Sequence, residues 1–141
     1  MSVRADITAA LTTVRVEWHG EEIALHPHEY NAYTHAPPAP FAAWPEWQAD
    51  EPPAVPDVVN SIWQVIVILP ASDAEPRNSA VPDAAALDAV RWPVRAALKK
   101  LGGVGRAEPF LYTVGSAHSM PAIRYTLSIR LVGPGGTREE G

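Results

Sequence analysis

The sequence predicts a small α+β domain: a mixed or antiparallel sheet, helices packed on one of its faces, and a long Pro-rich loop. Three observations lead there. Residues 61–70 are apolar at almost every position and rich in β-branched side chains. Residues 121–132 alternate apolar and polar side chains. Between them runs an Ala-rich stretch with apolar residues at helical spacing. Periods of two and 3.6 in one short chain call for both kinds of element.

From the start of the chain, residues 6–13 fit two turns of helix, with Asp6 as N-cap and Ala9, Ala10 and Leu11 as good formers. Val14, Val16 and Trp18 then alternate with Arg15 and Glu17, and Ile23 and Leu25 follow His19-Gly20-Glu21-Glu22. Two apolar runs around a Gly-containing turn predict a β-hairpin. Four of the five histidines lie between His19 and His35. Clustered His and Glu suit a transition metal, but this spacing matches no helical metal motif and reads better as a surface loop. No metal or cofactor is expected.

Residues 36–57 carry Pro37, Pro38, Pro40, Pro45, Pro52, Pro53 and Pro56, interleaved with Phe41, Trp44 and Trp47. Proline lacks a backbone donor and argues against helix or central strand, so an extended loop is expected. Three large aromatics need a surface to cover, either the chain's own core or a neighbouring molecule.

Residues 62–69 do not alternate. Ile62, Ile66 and Ile68 point one way, and Trp63, Val65, Val67 and Leu69 the other. Both faces want cover, as for a central strand; the run is too short for a buried helix, and Pro70 stops it. After a polar loop, Pro82 and Asp83 open a helix that carries to Arg91. Pro93 is expected to break or kink it at Trp92 and to start a second segment over 94–101. Gly102-Gly103 ends that segment, with Lys99 and Lys100 in its last turn. Residues 110–114 form a strand, and 115–119 a turn. In the final strand Ile123, Tyr125, Leu127, Ile129 and Leu131 share one face, and Arg124, Thr126, Ser128 and Arg130 the other. One domain over 1–132 and a flexible tail over 133–141 complete the expectation.

Composition narrows function. A chain of 141 residues buries roughly 68% of its unfolded surface, enough for a real core. With no cysteine there is no disulfide, thiolate metal site or cysteine nucleophile. No apolar run approaches a membrane span, and the first six residues lack the apolar core of a signal peptide, so the chain is expected to stay where it is made. Ser116, His118 and Ser119 share a turn that Asp73 or Asp83 could approach, yet no Gly-x-Ser-x-Gly elbow is present. No enzyme is expected. Glycines 102, 103 and 105 follow a helix instead of preceding one, so they make no phosphate cradle.

The net charge of −5 is unevenly spread. Residues 16–76 hold ten acidic and no basic side chains; residues 77–141 hold nine basic and five acidic ones. Such a chain can pair with copies of itself head to tail. Glu46, Asp50 and Glu51 are expected on one side of that contact and Arg91, Arg95, Lys99 and Lys100 on the other, with Trp44 and Trp47 as anchors. The basic residues are too scattered for nucleic-acid binding.

In sequence order, a short helix and a Pro-rich region precede the apolar strand 62–69. Then come Asp83-Ala-Ala-Ala-Leu-Asp-Ala-Val90, Pro93-Val-Arg-Ala-Ala-Leu98, Leu101-Gly102-Gly103, a strand and a last amphipathic strand. This pattern resembles the tail terminator (tail completion) proteins of long-tailed bacteriophages, especially those of high-GC actinobacterial hosts. The likeness covers about residues 62–132. It implies a small α/β subunit of a hexameric ring that caps the tail tube, stops its growth and meets the head–tail connector. Location in the virion, at the head-proximal end of the tail, is implied too. Another neck or minor tail protein, a small ligand-binding or hydrolase domain, and an adaptor recognised through its Pro-rich segment are the competing readings.

Overall fold

The structure, a computed structural model, describes residues 2–31, 38–52, 57–72, 81–114, 118–133 and 137–138. Its centre is β5 (Val58–Ile68), flanked on one side by β4 (Ala42–Glu51) and on the other by β7 (His118–Val132). Outside these lie β3 (His26–Pro27) next to β4 and β6 (Gly103–Val114) next to β7, giving the order β3-β4-β5-β7-β6. Every pairing is antiparallel except β3 with β4, so the sheet is mixed. A short β8 (Thr137–Arg138) pairs with Leu131 and Val132 of β7. Of the expected tail, residues 134–136 and 139–141 lie outside the described ones.

Two helices cover one face of this sheet. α1 (Val3–Thr12) lies by β3 and β4, and α2 (Ala84–Lys99) by β6 and β7. The hairpin of β1 (Arg15–Trp18) and β2 (Glu21–Ala24) packs beside α2. Its two-residue turn, His19-Gly20, has φ of 53° and 75°. Positive φ at both positions is what a tight hairpin turn matching the strand twist requires, and Gly20 meets it without strain. The α+β class, the hairpin, the central strand and the helix-covered face all agree with the sequence reading.

Four local expectations are corrected. α1 starts earlier than residue 6, because Ser2 is the N-cap: its hydroxyl accepts from the Ala5 N–H at 3.0 Å. α2 is one continuous helix through Pro93 instead of two segments broken at Trp92. Ala86, Val90, Val94, Ala97 and Leu98 are buried along one continuous stripe, and that packing outweighs the ~3 kcal/mol cost of an interior proline. The Tyr125 hydroxyl lies 3.4 and 3.3 Å from the Val90 and Arg91 carbonyls beside the proline. β6 begins at Gly103, seven residues before the expected strand.

The fourth correction is the largest. Part of the expected Pro-rich loop is β4, a ten-residue strand. The Ala43 carbonyl accepts from His28 N–H at 2.8 Å, on the side away from β5. Pro45, two residues on, presents its backbone to the same outer side, where its carbonyl accepts from Arg4 at 3.1 Å. Its missing N–H thus removes no bond to β5, and that is how a strand with one free side tolerates a proline.

The main core lies between sheet and helices. It takes Trp63, Val65, Val67 and Leu69 from the β5 region and Ile123, Tyr125, Leu127 and Ile129 from β7. Ile7 and Leu11 come from α1, and the α2 stripe completes it. Phe41 enters this core at φ 68°, its ring edge-on to Trp18 at 5.3 Å. A smaller cluster, Ala42, Trp44, Ile66, Ile68 and Ala122, covers one end of the opposite face.

Candidate interaction surfaces at the two ends of the sheet

The residues expected at a contact are distributed over the two ends of the sheet. Glu46, Trp47, Asp50 and Glu51 stand on β4, and Arg91, Arg95, Lys99 and Lys100 on α2 or its C-cap, beside the outer strand β6. β5 and β7 separate β4 from β6, about 14 Å at ordinary strand spacing. These eight side chains thus stand at two ends of one sheet, while Glu17, Glu21 and Glu22 of the same acidic half stand on the hairpin beside α2.

At the β4 end the two tryptophans part company. Trp44 pairs with Ile66 and Trp47 with Trp63, so the two side chains leave opposite faces. Trp44 is fully buried within its own chain, edge-on to Tyr112 at 5.3 Å, and its Nε1–H donates to Glu46 Oε1 at 3.0 Å. It offers no surface to a neighbour. Trp47 is 52% exposed, on the helix-covered side but beyond the cover of the helices. Its Nε1–H donates to Asp50 Oδ1 at 3.0 Å. A register shift between Trp47 and Ala49 bends the strand there. Asp50 and Glu51 are exposed.

At the other end, Arg91, Trp92 and Arg95 of α2, Ala107 of β6 and Tyr125 of β7 line a recess of about 250 Å³. It exists because the start of β6 is small: Gly103, Gly105 and Ala107 put little beneath the overhanging helix. Arg95 is held by two carbonyls, those of Gly105 at 3.0 Å and Val104 at 3.2 Å. Arg91 reaches Asp88 at 3.7 Å across an exposed surface, a contact worth little. Burial pushes the Tyr125 hydroxyl above its ordinary value, against the opposing pull of Arg91 and Arg95, so it stays a neutral donor. Lys99 and Lys100 project into solvent.

Trp92 is 72% exposed, and the sequence reading gave it only the role of a helix break. The signal was present: position 92 falls off the apolar stripe, so a large ring there faces outward. Among the described residues, no three His, Asp or Glu side chains gather as metal ligands would. His35, Ser116 and the side chain of His118 lie outside the described residues, and with them the turn weighed as a triad. No described helix is long and apolar enough to cross a membrane. The chain matches no family model, no curated protein and no solved structure.

Proposed function

We propose that this chain is a structural part of a virion: a tail terminator whose copies join head to tail in a closed ring, a hexamer by the resemblance. The ring caps the tail tube of a long-tailed phage and meets the head–tail connector. Its place is the head-proximal end of the tail, and it carries no catalytic centre, cofactor or nucleic-acid specificity. One observation supports the reading beyond the sequence pattern. An acidic end bearing an exposed tryptophan and a basic end bearing a recess stand at opposite ends of one sheet. Two different complementary patches on one subunit are what a heterologous contact requires, and such contacts close into rings when the rotation allows.

The test is to add the purified chain to polymerising tail tube protein of the same phage. Tubes capped at one end by a ring in negative stain, and shorter than without the chain, are expected. Unaltered tubes with no ring would end this reading and favour another neck protein or a non-viral domain.

A further inference from the structure

We propose that the recess between α2 and β6 receives Trp47 of a second copy, held between the guanidinium groups of Arg91 and Arg95 and the ring of Trp92. The proposal rests on the head-to-tail reading above and specifies its contact.

The chemistry of the recess selects the occupant. Two guanidinium groups and an indole around a small apolar floor suit a flat aromatic ring flanked by carboxylates. The β4 end carries that combination: Trp47 is half-exposed, and Asp50, in register with Ser61 as Trp47 is with Trp63, stands on the same side, with Glu51 next to it; Glu46 stays on the Trp44 side. Asp50 uses one carboxylate oxygen on the Trp47 indole, leaving the other for an arginine. Arg95 is already held by two backbone carbonyls, so it loses little side-chain freedom on contact.

Sheet geometry points the same way. Trp47 lies in register with Trp63, and Ala107 with Tyr125, so ring and recess belong to the same, helix-covered side. β4 and β6 run in opposite directions, because each step from β4 through β5 and β7 to β6 is antiparallel. Setting the β4 end of one copy beside the β6 end of another therefore keeps both the faces and the alternation. Within one chain two strands intervene, so the seat is filled from another molecule. Main-chain pairing is not part of the contact: Pro45 and a register shift interrupt the border of β4, and Pro109 and a shift between Val104 and Ala107 interrupt that of β6.

The experiment measures self-association of the full chain by sedimentation, for wild type, Trp47→Ser, Trp92→Ser, Arg91→Glu, Asp50→Arg and the Arg91→Glu/Asp50→Arg pair. Thermal melts check that each variant is folded. Loss of either tryptophan should weaken association about tenfold or more, the effect of a buried aromatic anchor. Each single charge reversal should weaken it, and the pair should recover most of the loss. Zero-length carboxylate–amine crosslinking should join peptides of β4 to the Lys99–Lys100 peptide between differently labelled copies. Wild-type assembly that is unchanged in both tryptophan variants overturns this seat and leaves the ring reading standing. A wild-type chain that remains monomeric at its highest soluble concentration overturns both.

Discussion

The two faces of the large sheet are built differently. Under the helices, side chains of β5 and β7 are buried along most of their length, from Ser61 to Leu69 and from Ile123 to Ile129. On the other face, burial stops partway. Ile66 and Ile68 lie under the cluster with Trp44 and Ala122, whereas Ile62, Gln64, Arg124, Thr126 and Ser128 are half-buried. The difference teaches how to read an apolar run. From Ser61 to Val65 burial alternates residue by residue; from Val65 onward both faces are covered and the alternation is lost, while Val58, Val59 and Asn60 at the start of β5 are all half-buried.

Three measurements would break or sharpen this contrast. The largest effect is expected from Ile66→Asp, which puts an unpaired charge into the closed end of the second face and should abolish folding. Ile62→Asp, on the same face at its open end, should cost only about 1–2 kcal/mol. Circular dichroism melts separate the two, and a stably folded Ile66→Asp would refute the covered end. Next in size, Leu127→Ala on the helix side should cost about 2–5 kcal/mol, while its neighbour Ser128→Ala should stay within about 0.5 kcal/mol. Equal denaturation midpoints for these two would show that the faces are not distinct.

The smallest effect concerns the seam between helix and hairpin. Asp83 caps α2: its Oδ1 accepts from Ala86 N–H at 2.9 Å and from Trp18 Nε1–H at 3.2 Å. The Ala86 N–H holds the carboxyl below its ordinary 3.8, partial burial opposes this, and Trp18 adds to it. A carboxyl with a lowered folded-state value stabilises above its unfolded value and loses that contribution as pH falls through the folded one. Asp83→Ala should cost about 1 kcal/mol at neutral pH. Asp83→Asn should flatten the acid limb of a melting-temperature profile, and an unchanged limb would dismiss the linkage.

Much of the architecture was legible because hydrophobic period and turn chemistry act locally. β7 shows its two faces in its alternation, and His19-Gly20 announces its hairpin. What stayed hidden depends on partners distant in sequence. Pro93 argues for a break until the sheet beneath α2 makes one stripe worth keeping. Pro45 argues against a strand until one knows that its nitrogen faces away from β5. The contact residues were legible as charge and aromatic content, but not their sides. Once 42–51 is a strand, Trp44 and Trp47, three residues apart, must point to opposite faces. The recess needed the fold, since Tyr125, Ala107 and Trp92 come from three separate elements.

The interrupted borders of β4 and β6 bear on how the chain behaves in bulk. A sheet with two clean borders is a template, and fibrous growth from it needs no particular side chain. Here Pro45, Pro109 and two register shifts remove that generic route. A concentrated preparation is then governed by colloidal forces between charged particles. Its least soluble point should fall near pH 5.4, where net charge vanishes, and any precipitate there should redissolve on raising the pH instead of maturing into cross-β fibrils.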